Sequence, residues 1–236
     1  MVAGTVVYER ADGKAGDDVF DVSGVNDSFV IIRGFGGADE ITGGFFIDVL
    51  QGGVGDDVIV GGASRDSIFG EGGADSLSGG DGDDLLFADV FNTFISGDDG
   101  LDILRVQSDN GITFNVVVGS VERVFGPNSS SVGYVLSAVG GNKTFVLEGR
   151  VGNDTLTGGN ASNILRGGAG GNDRLNGGGG PGDIFEFNSA WGRDPIQGWF
   201  ADNGSELIRF ADVSNSPGGA LDFGELQSWI MEVTLL

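Results

Sequence analysis

The sequence contains no cysteine and no histidine among its 236 residues. The missing cysteine excludes disulfides, thiolate metal sites and a cysteine nucleophile. The missing histidine removes the commonest transition-metal ligand and the usual general base. The sequence also lacks any run of about 18 apolar residues, which excludes an ordinary membrane-spanning helix. Oxygen atoms are therefore the functional groups that remain.

Basic residues are scarce, with 12 Lys and Arg against 35 Asp and Glu, for a net charge of −23. Such a surface repels phosphate backbones and anionic lipid headgroups, so we expect no nucleic-acid binding and no membrane insertion. Cations are its natural partners. The start, MVAGTVVYER, lacks the basic region of an ordinary signal peptide. We therefore expect a soluble protein that needs another signal for export.

Glycine is abundant, with 47 residues, and much of it recurs with a period of nine. In each unit an aspartate follows the opening glycine by five residues, and an aliphatic residue follows the aspartate by two. The opening glycines are Gly34, Gly43, Gly52, Gly61, Gly70 and Gly79. The aspartates are Asp39, Asp48, Asp57, Asp66, Asp75 and Asp84, and the aliphatic residues are Ile41, Leu50, Ile59, Ile68, Leu77 and Leu86. Three registers that repeat together indicate a repeat fold, not a solvated loop.

The repeat extends beyond these units. It returns after one blank unit at Gly97, Gly100, Asp102 and Leu104, and the blank unit keeps Ile95 in phase. A second, less regular array has polar residues at Asp154, Asn163, Asp173 and Asp183, each followed two residues later by a hydrophobic residue. Two weaker units precede the main array, one with Asp18 and Phe20 and one with Asp27 and Phe29.

Units such as GGVGDDVIV (52–60) and GGDGDDLLF (79–87) match the pattern Gly-Gly-x-Gly-x-Asp-x-aliphatic-x. The chain therefore resembles the RTX, or hemolysin-type, calcium-binding nonapeptide-repeat family of type I secreted proteins. The resemblance implies an all-β fold: a right-handed parallel β-roll or β-helix solenoid with two calcium-binding repeat arrays and a C-terminal cap. It also implies that two units make one full coil of the solenoid, so that alternate units stack on the same edge.

This stacking places aspartates about 4.8 Å apart, where each neighbouring pair repels by about 3–4 kcal/mol at an effective dielectric of about 20. Calcium relieves the repulsion because it accepts six or more oxygens in flexible geometry, and magnesium fits less well. We expect several Ca²⁺ ions. The predicted side-chain ligands are Asp39, Asp48, Asp57, Asp66, Asp75, Asp84, Asp102, Asp154, Asn163, Asp173 and Asp183. The predicted turn glycines are Gly34, Gly37, Gly52, Gly55, Gly70, Gly73, Gly79, Gly82, Gly97 and Gly100.

The predicted sites differ in strength. The units of Asp39, Asp57 and Asp75 keep a glycine at their fourth position, whereas Phe46 and Ser64 replace it in the units of Asp48 and Asp66. Glycine is needed there for positive φ or for close approach to an ion. We therefore expect stronger sites among Asp39, Asp57 and Asp75 and between Asp84 and Asp102. Near Asp48 and Asp66 we expect weaker binding or none.

Five segments follow from these features: an N-terminal cap with weak repeats (1–33), the main array (34–105), a β-rich non-repeat segment that continues or bridges the solenoid (106–148), a second array (149–187) and a C-terminal cap with a candidate secretion signal (188–236). A ligand-binding insert within 106–148 stays open. The stretch WGRDPIQGWFADNGSELIRF resembles the segment after the repeats of type I exported proteins, in which a Gly-x-Asp-x-Ile pattern precedes a cap and signal. The expected cap residues are Phe185, Phe187, Trp191, Trp199 and Phe200.

The leading functional hypothesis is a bacterial, secreted module that folds on binding extracellular Ca²⁺ after type I export. An extracellular adhesin, a surface-layer or polysaccharide-binding module and the non-catalytic part of a secreted enzyme stay open. A polysaccharide target is disfavoured because the 12 basic residues are scattered. We expect no enzymatic activity, since the sequence has no zincin motif, nucleophile elbow or complete phosphate loop. The oligomeric state stays open.

Overall fold

The computed structural model describes residues 7–89, 91–92, 94–107, 113–114, 120–126, 135–137, 144–187, 192–197 and 206–210. Within these ranges every regular element is a β-strand, and the strands pair in parallel. No helix in the described part of the chain has the length and apolarity needed to span a membrane. The chain forms two compact units, the first from Met1–Ser108 with Val117–Phe125 and the second from Asp109–Val116 with Gly126–Leu236.

The first unit is built from two parallel sheets between which the chain alternates. One sheet has the order β1 (Val7–Asp12), β3 (Ser28–Gly36), β5 (Val49–Val54), β7 (Ser67–Gly72), β9 (Leu85–Ala88), β11 (Asp102–Val106) and β13 (Val121–Phe125). The other has the order β2 (Val19–Asp21), β4 (Glu40–Thr42), β6 (Val58–Ala63), β8 (Ser76–Asp81) and β10 (Phe94–Asp99). Each repeat unit thus contributes one strand and one turn.

The second unit repeats this arrangement with fewer strands. One sheet has the order β12 (Thr113–Phe114), β14 (Val135–Ser137), β16 (Thr155–Thr157), β18 (Arg174–Asn176) and β20 (Ile196–Gln197). The other has the order β15 (Val146–Arg150), β17 (Ile164–Gly168), β19 (Ile184–Phe187) and β21 (Leu207–Phe210). The predicted all-β, right-handed parallel β-roll is confirmed.

The aliphatic positions of the repeat form the core because alternate side chains of each strand point between the two sheets. In the first unit one column of fully buried side chains is Ile32, Leu50, Ile68, Leu86, Leu104 and Val124, and the facing column is Ile41, Ile59, Leu77 and Ile95. Ile95 of the blank unit pairs with Leu77 and is 7% exposed. The phase inferred across that unit is therefore correct.

The two weak N-terminal units differ in the structure. Val19 pairs with Glu40, so Asp18 lies in register with Asp39 as the sequence indicated. Asp27 does not lie in register with Asp48. Ile31 pairs with Val49, so Val30 is the residue that lies beside Asp48. The sequence interpretation of Asp27 with Phe29 as a unit is wrong. Burial of Val30 and Ile32 determines this register. The chain between Asp18 and Asp39 is three residues longer than two repeat units, and these extra residues lie before Val30.

The described strands of 106–148 extend the sheets: β13 pairs with β11 in the first unit, and β12 and β14 pair in line with β16 in the second. They are therefore built as solenoid strands. Of the expected cap residues, Phe185 and Phe187 are buried in β19. Trp191, Trp199 and Phe200 lie outside the described residues.

Candidate metal sites in the turns

The repeat aspartates form two hydrogen-bonded ladders in the first unit. In each ladder an aspartate accepts, through Oδ1, the backbone N–H of the preceding member, with N···O distances of 2.7–3.0 Å. The first ladder contains Asp18, Asp39, Asp57 and Asp75. The second ladder contains Asp48, Asp66, Asp84 and Asp102. From Asp39 onward these carboxylates are at most 2% exposed. The structure thus brings the predicted aspartates into two buried rows.

The second carboxylate oxygen is what makes these rows unusual. Oδ2 has no hydrogen-bond partner at four aspartates of the first unit, namely Asp39, Asp57, Asp66 and Asp84. A buried polar atom without a partner costs free energy, and a buried charge without one costs considerably more. Each of these oxygens therefore requires either a proton or a cation.

A carbonyl oxygen of the next turn lies close to Oδ2 of Asp39, Asp66 and Asp84. A Cβ atom built on Gly34 would overlap Asp39 Oδ2 and lie 2.5 Å from the carbonyl oxygen of Gly52. A Cβ on Gly79 would likewise overlap Asp84 Oδ2 and lie 2.6 Å from the Gly97 carbonyl oxygen. A carboxylate and a carbonyl from the next turn therefore converge beside each of these two opening glycines. The donor set is all oxygen, which fits calcium.

Within the described ranges, no three acidic side chains gather closely enough to hold an ion by themselves. An ion beside these aspartates would therefore take most of its ligands from turn carbonyls. The opening glycines Gly34, Gly52, Gly70, Gly79 and Gly97 each place their Cα against Oδ2 of their own aspartate. The fourth-position glycines Gly37, Gly55, Gly73, Gly82 and Gly100 have φ between 114° and 149°. All ten predicted glycines thus lie where a side chain would clash or strain the backbone.

Burial raises the pKa of three ladder carboxyls into the neutral range. Together with a smaller contribution from neighbouring carboxylates, it raises the pKa of Asp57 to about 6, that of Asp84 to about 7 and that of Asp66 to about 8. In the second unit burial raises the pKa of Asp173 to about 7, with Asp194 and Asp154 adding to the shift. Without a cation, these groups bind protons within the neutral range.

The turns fall into two types according to the second residue of the unit. In the turns we call open, this residue has a left-handed backbone; examples are Phe35 at φ 75° and Gly53 at φ 116°. In the turns we call closed, its backbone N–H donates instead to the aspartate Oδ2. Lys14 donates to Asp18, and Gly44 donates to Asp48, each at 2.7 Å. A closed turn already satisfies the oxygen that a cation would bind.

This distinction separates two aspartates that the sequence grouped together as weak. Asp48 lies in a closed turn, which agrees with the weak site expected there. Asp66 lies in an open turn, because Gly62, the second residue of its unit, has φ 114°. Ser64 at the fourth position adopts φ 78° and so keeps the left-handed shape of the glycine it replaces. The Ser64 hydroxyl also donates to the Phe45 carbonyl at 2.9 Å. The structure therefore favours a site at Asp66 that the sequence argument discounted.

Two side-chain amides also lie in the turns. Asn92 Nδ2 donates to Asp75 Oδ2 at 3.1 Å. Asn163 was expected to offer its carbonyl oxygen to an ion, but Oδ1 accepts the Phe145 N–H at 3.3 Å. Its Nδ2 instead faces the Ala161 and Gly177 carbonyls, at 2.6 and 3.1 Å. In this arrangement the turn carbonyls attract the amide donor, and a role of Asn163 as a metal ligand stays a prediction.

The second unit contains two shorter ladders. Asp154, Asp173 and Asp194 form one, and Asn163 and Asp183 form the other. Oδ2 of Asp173, Asp183 and Asp194 has no hydrogen-bond partner. Asp194 was not among the predicted ligands, because its turn lies outside the regular repeat spacing. The Gly-x-Asp-x-Ile pattern around it was the available signal.

Comparison with protein families supports this description. The family model of the RTX calcium-binding nonapeptide repeat matches four stretches of the chain. Three of them overlap, at residues 33–67, 51–86 and 63–95, and the fourth lies at residues 146–171. No curated protein sequence matches the chain. The matched stretches include open turns of both units and end before Asp173, Asp183 and Asp194.

We predict that Gly52→Ala disrupts the site at Asp57. The new Cβ would overlap Asp57 Oδ2, so we expect weaker calcium binding and a loss of about 1–3 kcal/mol in the free energy of unfolding. Gly72→Ala is the matched control, because its Cβ would lie 3.9 Å from the nearest atom outside its chain neighbours and should change stability by at most about 0.5 kcal/mol. Calcium titration and urea unfolding measure both effects. Equal behaviour of the two variants would contradict the geometry.

The raised pKa values predict that the calcium-free fold is more stable in acid. Asp66 and Asp84 have pKa values of about 8 and about 7 when folded, against 3.8 when exposed, so the folded state binds more protons between these limits. Stability should therefore fall as pH rises from about 4 to about 8. Far-UV circular dichroism in chelator at pH 5 and pH 8 measures this as the folded fraction, which should be larger at pH 5. A rise in stability over that range would disprove the assignment.

Proposed function

Because this chain is an RTX calcium-binding repeat protein, we propose that it is a module whose folding is driven by calcium bound in the open turns. The observation that carries the proposal is the row of buried Oδ2 atoms without partners, at Asp39 and Asp57 in the first ladder and at Asp66 and Asp84 in the second. In each pair, two consecutive turns offer one carboxylate oxygen apiece. A bound Ca²⁺ supplies the positive charge that these oxygens require.

Ion binding then provides folding free energy. The ladder carboxylates come together only in the folded chain, so an ion that binds there stabilises the folded state over the unfolded one. Repulsion between neighbouring carboxylates adds to the effect, because it opposes folding until a cation is present. The glycine-rich turns point in the same direction, since glycine loses more backbone entropy on folding than any other residue. The balance therefore depends on calcium concentration.

We propose further that this dependence serves export. At low calcium inside a bacterial cell, a chain with a net charge of −23 stays unfolded and can pass through a type I export channel. Outside the cell, calcium reaches the concentrations that weak extracellular modules require. Folding would then follow secretion.

The direct test is circular dichroism of the full chain in chelator and during calcium titration. We expect a mainly unfolded spectrum in chelator and a cooperative gain of β-structure with calcium. Magnesium should be a much weaker inducer, because it prefers a strict octahedron. Asp57→Asn and Asp84→Asn should each raise the calcium midpoint by about tenfold.

Asp81→Asn serves as the matched control for these variants. Asp81 is exposed at the end of β8, so the substitution removes the same charge without touching a ladder, and the midpoint should stay close to that of the unaltered chain. A chain that is fully folded in chelator and indifferent to calcium would overturn the proposal. Failure to export through a type I channel would overturn only the secretion part.

A further inference from the structure

The turn that ends at Asp194 lies beyond the stretches matched by the repeat family, yet it continues the ladder of Asp154 and Asp173. Asp194 Oδ1 accepts the Asp173 N–H at 2.9 Å, as Asp173 Oδ1 accepts the Asp154 N–H at 2.8 Å. Its side chain is 1% exposed, and its Oδ2 has no hydrogen-bond partner. Burial also raises its pKa.

Other features of the repeat continue into this turn. Gly192 lies against the Gly171 carbonyl just as Gly171 lies against the Gly152 carbonyl, so the glycines two residues before each ladder aspartate stack without interruption. Ile196 pairs with Leu175 and occupies the aliphatic position. The N–H of Arg193 donates to Asn172 Oδ1 at 2.8 Å, and the Asn172 N–H donates to Asn153 Oδ1 at 2.7 Å. From Gly192 to Ile196 the chain therefore has the geometry of a repeat turn.

Asp173 and Asp194 consequently reproduce the arrangement of Asp39 with Asp57 and of Asp66 with Asp84. In each pair two consecutive ladder members are buried, and each has an Oδ2 without a partner. We propose that Asp173 and Asp194 hold an additional calcium ion outside the recognisable repeats. The inference rests on the proposed function, because it requires that such pairs bind calcium.

The test counts the ions bound by the full chain, by isothermal titration calorimetry and native mass spectrometry. Asp194→Asn should lower the count by one, and Asp81→Asn should leave it unchanged. A chain that binds no calcium would overturn the proposed function itself. A chain that binds calcium with the same count and affinity before and after Asp194→Asn would overturn only the site at Asp194.

Crystals of the unaltered chain grown with calcium give a second readout that does not depend on folding of a variant. An anomalous peak about 2.3–2.6 Å from Asp194 Oδ2 would support the site. Peaks beside Asp57 and Asp84 with none beside Asp194 would overturn it.

A different observation concerns Asn163, which stands where a ladder aspartate would. Its Nδ2 lies 2.6 Å from the Ala161 carbonyl oxygen, 3.1 Å from that of Gly177 and 3.0 Å from Asp183 Oδ1, while its Oδ1 faces the Phe145 N–H. These partners fix the orientation of the amide, because the reversed amide would place two oxygens face to face. The –NH₂ group thus lies among oxygens on the side where an aspartate would hold a cation.

We infer that the Asn163 amide substitutes for an ion, so that this turn folds without calcium. A side-chain amide has two donor hydrogens and no net charge, so it satisfies the turn carbonyls without adding repulsion to Asp183. Its burial, with no exposed surface, keeps water from competing for the same carbonyls. One turn of the second unit is therefore independent of calcium.

The variant Asn163→Asp tests this inference, because it replaces the –NH₂ group by a carboxylate oxygen of nearly the same size. We expect it to bind one ion more than the unaltered chain and to need more calcium to fold. Asn160→Asp is the matched control, since Asn160 is exposed in the same turn and the change adds the same charge. An ion beside Asn163 in calcium-grown crystals of the unaltered chain, or an unchanged ion count in Asn163→Asp, would overturn the inference.

Discussion

The structure depends on one constraint: the repeat stacks carboxylates in buried rows, and at Asp39, Asp57, Asp66 and Asp84 the backbone satisfies only one of the two oxygens. The constraint comes from the repeat itself. The aliphatic residue two positions after each aspartate, such as Ile59 after Asp57, must face the core, and side chains two apart in a strand share a face. Burying the core column therefore buries the carboxylate column too. Core formation and ion binding are coupled because the same period of nine places both.

Backbone conformation in the turns determines which carboxylates need a cation. A left-handed second residue, as at Phe35 or Gly53, goes with an Oδ2 that accepts no backbone N–H from its own turn, whereas in the closed turns of Asp18 and Asp48 the second residue donates to it. Non-glycine residues in that conformation are strained by about 1–2 kcal/mol each. Phe35 and Ser64 both adopt it. The strain at Phe35 and Ser64 opposes folding, and under the proposed function an ion that holds the turn would offset it.

The periodic part of the fold was predictable from sequence, whereas the conformation of individual turns was not. The core residues Leu50, Leu77 and Ile95 and the buried aspartates follow from residue spacing, because spacing decides which side chains share a face. Asp27 was misassigned because extra residues before β3 shift the register, and core burial decides where the shift is absorbed. The orientation of Asn163 depends on which carbonyls lack donors. Which carbonyls lack a donor is decided only when the turns stack, so the sequence spacing does not reveal it.

Three ends of the two ladders in the first unit carry a neutral hydrogen-bond donor. An ion between turns needs oxygens from both, and the first member of a ladder has no neighbour on one side. At Asp18 and Asp48, the first members, a backbone N–H already binds Oδ2. At Asp75, the last described member of its ladder, the Asn92 amide does so. The oxygens without partners lie between these ends, at Asp39 and Asp57 and at Asp66 and Asp84. At Asp18, Asp48 and Asp75 a neutral donor therefore takes the place that a cation would occupy. The proposed need for calcium falls on the pairs Asp39–Asp57 and Asp66–Asp84, where two turns would share each ion.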